Sequence, residues 1–79
     1  MIITYEQCAA ARELLGWKRV DLEKKSNISR STIADFERGK RKLRMDSLEK
    51  LLITFKDAGI KFINEDDAIG VKIDLTKIN

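Results

Sequence analysis

The stretch Val20-Asp-Leu-Glu-Lys-Lys-Ser-Asn-Ile-Ser-Arg-Ser-Thr-Ile-Ala-Asp-Phe-Glu-Arg38 sets the fold of this chain. Leu22, Ser26, Ile28, Ile33 and Phe36 are its small or apolar positions. Asn tolerates a left-handed backbone better than any residue but Gly, so Asn27 can end one helix. Ser29 is a strong N-cap for the next. The pattern predicts helix, sharp turn, helix, with the second helix spanning Ser29 to Arg38 and stopped by Gly39.

Turned at about 100° per residue from Ser29, that second helix places Ile33 near 40° and Phe36 near 340°, one apolar stripe. Arg30, Ser31, Ala34, Asp35 and Arg38 occupy the arc from roughly 100° to 240°. A short helix with one buried stripe and a small, hydrogen-bonding outer face suits the DNA major groove. An ordinary amphipathic surface helix has the same pattern, so the stripe alone does not separate the two.

The charge distribution adds to it. The net charge is +3, but residues 12–50 carry 12 Lys/Arg against 7 Asp/Glu, and both flanks are slightly acidic. A local basic face is the footprint of a polyanion binder. Gly39-Lys-Arg-Lys-Leu-Arg44 follows the outward-facing helix directly, and Lys40, Arg41, Lys42 and Arg44 are placed there to clamp phosphate. A solvated loop is the plainer alternative.

Outward from this centre, Thr4 and Gln7 form a capping box that opens a first helix, running to Leu15 before Gly16. Cys8, Ala11 and Leu15 make its core stripe. Cys8 reads as a small buried hydrophobe, since the chain has no His to activate a thiol. Trp17 reads as a core anchor between the first and second helices rather than a base-stacking ring. In chain order the second helix spans about Lys18 to Ser26, which makes the Ser29–Arg38 helix the third. A fourth runs from about Ser47 to Ala58, with Asp46 and Glu49 as a capping box and Leu48, Leu51, Leu52 and Phe55 as its stripe. After Gly59 the period shortens to two: Ile69, Val71, Ile73 and Leu75 alternate with polar or small residues, and Ile60 to Ile63 suggest a partner strand. Asn64 to Asp67 is the acidic turn between them, without EF-hand spacing. A lone hairpin is marginal in water, so this one must pack on the helices or pair with another chain.

The chain of 79 residues is long enough for one small domain. It lacks a long apolar run and, over Met1 to Gln7, a signal-peptide pattern. One Cys and no His offer no disulfide and no zinc ligand set. No nucleophile–base set, phosphate-cradling loop or catalytic carboxylate pair is visible, so a non-enzymatic, cofactor-free cytoplasmic protein is expected.

From Trp17 to Gly59 the sequence resembles the phage-repressor, Cro-like (XRE-type) helix-turn-helix family. Leu22, Ser26 through Ile33, Phe36-Glu-Arg-Gly-Lys-Arg41 and the Leu48/Leu51/Leu52 stripe carry the likeness, and Arg12 with Leu14 to Trp17 extends it into the first helix. The resemblance implies a mostly α fold: a compact four-helix, lambda-repressor-like domain over 1–59, then a C-terminal β extension over 60–79. It implies a dimeric transcriptional regulator, a repressor, on a palindromic double-stranded DNA operator. Arg19 falls at the family's phosphate-contacting start of the motif. Ser29, Arg30, Ser31 and Asp35 match base-reading or backbone positions, and Thr32 and the Lys40–Arg44 loop match backbone contacts. Arg38 lies on the same outer face.

The residue chemistry agrees with those roles. Arg30 suits guanine O6 and N7, and Asp35 suits a cytosine amino group. Asp35 equally suits orienting Arg30 or Arg38. The family often pairs an Arg on the first helix with a Glu ending the recognition helix, which here are Arg12 and Glu37. Three residues depart from the pattern. Glu23 replaces a close-packed Ala and needs a cation, Arg19 or Arg30. Lys18 replaces a Ser/Thr cap, so the first turn of the Lys18–Ser26 helix should fray. Leu43 stands near a usual Pro, so the basic loop should be looser. The same helices also suit an antitoxin or adaptor that binds a protein partner.

Overall fold

Four helices precede an antiparallel hairpin in the computed structural model of the chain: α1 (Tyr5–Leu14), α2 (Arg19–Ser26), α3 (Arg30–Glu37) and α4 (Met45–Asp57), then β1 (Ile60–Glu65) and β2 (Ala68–Ile73). A single 3-10 turn, Leu75–Lys77, follows. The structure describes residues 2–77. Met1, Ile78 and Asn79, the ends of the two expected segments, lie outside the described residues.

Local chemistry sets most of the boundaries. The Thr4 hydroxyl accepts Gln7 N–H at 3.1 Å and the Gln7 amide oxygen accepts Thr4 N–H at 3.0 Å, closing the capping box. At the other end of α1, Trp17 N–H donates to Arg12 O and Gly16 N–H to Glu13 O, both at 2.9 Å. This Schellman arrangement needs a left-handed residue, and Gly16 supplies it at φ 72°. α3 ends the same way at Gly39, where Lys40 N–H donates to Asp35 O at 2.8 Å. That stop turns the chain sharply from α3 into the basic loop.

The turn between α2 and α3 forms as expected. Asn27 is the one described non-Gly residue with positive φ, 62°. Buried Ser26 staples the turn: its hydroxyl donates to Leu22 O at 2.6 Å and accepts Ile28 N–H at 3.2 Å. Ser29 caps α3 by accepting Thr32 N–H at 3.3 Å. α2 does not fray at Lys18. The Asp21 carboxylate accepts Lys18 N–H at 2.7 Å, so the acidic half of a capping box works without a hydroxyl partner.

α4 departs from the expected Asp46/Glu49 box. It starts at Met45, with Arg44 at the N-cap and no side-chain cap. Asp46 lies inside the first turn, where its charge suits the positive helix end, and its carboxylate accepts Ser47 N–H at 2.9 Å. The stripe survives the shift: Leu48, Leu51 and Phe55 are buried and Leu52 packs beside them.

The core joins these to Cys8, Ala11, Leu22, Ile28, Ile33, Phe36, Ile60 and Ile3. Ile3 and Cys8 occupy the two positions of a hydrophobic staple around the Thr4 cap. Trp17 packs against the core as an anchor and reaches beyond the first two helices. Its ring stacks on Phe55 of α4, with centroids 6.1 Å apart, and Lys25 Nζ lies 5.1 Å above it. Phe55 in turn meets Phe62 edge to face at 5.8 Å.

The hairpin registers Ile60 with Ile73 and Phe62 with Val71, and these four face the helices. α1 lies against β2 and α4 against β1. The buried Gln7 amide fixes this docking, donating to Ile63 O at 3.1 Å, Gly70 O at 3.0 Å and Asn64 Oδ1 at 2.9 Å. β2 stops at Ile73, before the expected Leu75. The Asp74 carboxylate accepts the Thr76 N–H at 3.0 Å and the Thr76 hydroxyl at 2.6 Å, which turns the backbone out of the ladder and leaves Leu75 exposed. Among the described residues no helix is long and apolar enough to cross a membrane.

Candidate nucleic-acid interface

α3 is held by its last residue. The Glu37 carboxylate, 2% exposed, accepts from Arg12 Nε at 2.9 Å, Arg12 Nη2 at 3.0 Å and Arg19 Nε at 3.0 Å. Arg12 also donates from Nη1 to Trp17 O at 2.9 Å. The expected Arg12–Glu37 pair is therefore a triad joining α1, α2 and α3. Burial alone would push the Glu37 carboxyl up, but hydrogen bonds and charge from Arg12 and Arg19 outweigh it and hold the group below the ordinary glutamate range. The bond to Glu37 raises the Arg12 guanidinium further. Cys8 completes the site, with Sγ 3.6 Å from Glu37 Oε2. Burial, and then the Glu37 charge, push its thiol far up, so it stays a neutral donor.

The sequence places Arg19 at a phosphate-contacting position. Its Nε is committed to Glu37, while its side chain remains 36% exposed. The remaining guanidinium donors are the part of Arg19 that can meet a phosphate.

With Ile33, Phe36 and Glu37 buried, the opposite side of α3 faces solvent. Ser29, Arg30, Ser31 and Arg38 are exposed, and Thr32 and Asp35 are half-buried. The Ser29 hydroxyl meets Thr32 Oγ1 at 2.8 Å and Ser31 Oγ at 3.3 Å, so three hydroxyls form one chain at the start of the helix. Among the described residues the Asp35 carboxylate pairs with neither Arg30 nor Arg38. Arg30 goes to Glu23 instead. Glu23 Oε2 accepts Arg30 N–H at 3.0 Å, and Oε1 lies 3.2 Å from Arg30 Nε. The departure at Glu23 thus ties α2 to the first residue of α3.

Lys40, Arg41 and Lys42 are exposed beyond Gly39, and Arg44 is exposed at the start of α4, 3.6 Å from Asp46. Leu43 anchors this loop by packing against the core. The Tyr5 ring lies against Gly39, in a cleft shared with Ile2, Lys40, Arg41, Lys42 and Met45. Nothing in the sequence pattern pointed to Tyr5 here, because the contact depends on how α1 crosses the end of α3.

A recognition-type helix, an N-terminal hydroxyl and guanidinium row, and an adjoining cationic loop define a helix-turn-helix nucleic-acid-binding domain. A sequence model described as helix-turn-helix, of the XRE type typified by Cro and C1, matches residues 9–56. The chain belongs to this family of DNA-binding regulators, which is regulatory rather than enzymatic in character. No match emerged among curated proteins.

Proposed function

We propose that this protein is a sequence-specific repressor that sets α3 in the DNA major groove and acts by occupying its operator. The observation that carries the proposal is the continuity of the outer face of α3 with the exposed Lys40-Arg-Lys42 loop across the Gly39 turn. Arg30 and Ser31 have groups that match base edges, with Asp35 one turn on as an acceptor for a cytosine amino group. Ser29, Thr32, Arg38, Lys40, Arg41, Lys42 and Arg44, together with the free end of Arg19, hold the backbone on either side.

The working form is a homodimer on a palindrome, with half-sites about 34–36 Å apart. Exposed Ile53 on α4 and Ile69 on β2 support self-association, and a hairpin edge offers backbone pairing. Selection from random duplexes tests the proposal, followed by titration of the winning site over a salt series. A two-fold-symmetric motif and a steep salt slope are expected, with Arg41→Ala lowering the slope by about 1. Unselective or salt-insensitive binding overturns it.

A further inference from the structure

Glu23 holds Arg30 at two points. One carboxylate oxygen takes the backbone N–H at 3.0 Å and the other faces Nε at 3.2 Å. The Arg30 side chain remains 63% exposed and that of Glu23 34%. With Nε occupied, the edge left free is the Nη1/Nη2 pair, and two parallel donors match guanine O6 and N7. The carboxylate also changes what Arg30 is attracted to. Phosphate attraction is long-ranged and works on net charge, which the ion pair cancels. Directional hydrogen bonds to a base edge do not depend on net charge in this way.

The neighbouring cations differ. Arg38, Lys40, Arg41 and Lys42 are exposed and carry no ion pair among the described residues. They are suited to phosphate, whereas Arg30 alone among the cations of α3 and the following loop through Lys42 is carboxylate-paired.

Resting on the base-reading role given to Arg30 above, we infer that Glu23 is a positioning residue that determines specificity: it aims Arg30 at guanine and keeps it off the phosphates. Glu23 acts through Arg30 and need not touch DNA itself. The cost is a weaker general attraction to DNA, and the gain is a larger ratio between the right site and all others.

Glu23→Gln is the discriminating variant. Its amide oxygen still accepts Arg30 N–H, so the first N–H of α3 keeps its acceptor, but its NH2 group faces Nε with a donor. Glu23→Ala, the residue usual there in the family, is the second variant. The probes are the duplex selected by the wild-type protein, versions with the Arg30-dependent guanine replaced, and an unrelated duplex. Anisotropy should give the wild type at least about tenfold preference for guanine, and both variants about threefold or less. Both variants should also bind the unrelated duplex more tightly, with a salt slope steeper by about 1 because the Arg30 charge is no longer cancelled. A purely structural Glu23 would change affinity for the guanine-bearing and guanine-replaced duplexes by the same factor and leave the guanine preference intact, whereas the steeper slope follows from the lost carboxylate charge in either case. Undiminished guanine preference in Glu23→Gln overturns the inference and leaves the base-reading role of Arg30 standing. Undiminished guanine preference in Arg30→Ala removes that role, and the inference with it.

Discussion

Removing Glu37 should unfasten α3 from the rest of the domain. In Glu37→Ala, Arg12 loses the partners of Nε and Nη2 while its side chain is only 12% exposed, so water cannot replace them fully. Breaking a buried ion pair from one side costs about 3–5 kcal/mol. Arg19 adds little, because at 36% exposure its bond is screened and is worth about 1 kcal/mol or less. For a domain of this size each kcal/mol moves the midpoint by roughly 4–8 °C, so the melting temperature should fall by roughly 12 °C or more. Arg12→Ala should cost nearly as much, since it leaves a buried carboxylate with one half-exposed partner, and Arg19→Ala should cost about 1 kcal/mol. Urea unfolding followed by Trp17 fluorescence reports this directly, because Trp17 is the chain's single Trp and stacks on Phe55 in the core. A double-mutant cycle then isolates the coupling of each Arg to Glu37. A cost under about 1 kcal/mol for Glu37→Ala, or equal destabilisation by Arg19→Ala and Arg12→Ala, would refute the buried Arg12–Glu37 coupling.

Stability should also fall in acid. The folded Glu37 pKa is depressed below the ordinary 4.5, so its contribution is complete above that value and is lost as pH falls through the folded pKa. Thermal melts between neutral pH and strong acid should show the loss, and Glu37→Gln should flatten that part of the curve. Gln7→Ala should loosen the hairpin by about 1–2 kcal/mol, since its three acceptors keep ladder or solvent partners. Hydrogen exchange should rise in β1 and β2 more than in α2 and α3. Cys8, buried with a raised thiol pKa, should resist alkylation at mildly alkaline pH until urea unfolds the chain. Rapid modification of the native protein would contradict the site described.

Much of the helical fold is legible because short-range chemistry decides it. Asn27 and Ser29 mark the turn, Thr4 with Gln7 marks the start of α1, and Gly16 and Gly39 mark two stops, all through groups within a few residues. The misses have a common physical origin. Asp46 and Glu49 have the spacing of a capping box, but α4 starts at Met45, so Asp46 lies inside the first turn and cannot serve as its N-cap. Trp17 is legible as an anchor, yet its partner Phe55 is distant in sequence. Gln7 announces a local cap, and its remaining amide hydrogens reach the hairpin, a long-range contact that no local pattern encodes. Arg19 is visible as a cation at the right place, but only the crossing of α2 and α3 reveals that Glu37 takes one of its donors. Glu23 is legible as needing Arg19 or Arg30, and the structure selects Arg30.

The placement of α3 in the major groove is tested most directly by dimethyl sulfate footprinting on a selected duplex. The reagent methylates guanine N7 in the major groove and adenine N3 in the minor groove. Wild-type protein should protect a guanine N7 in each half-site, and Arg30→Ala should lose that protection while the flanking contacts of the Lys40–Arg44 loop persist. Protection confined to adenine N3, or guanine protection unchanged in Arg30→Ala, would contradict the account.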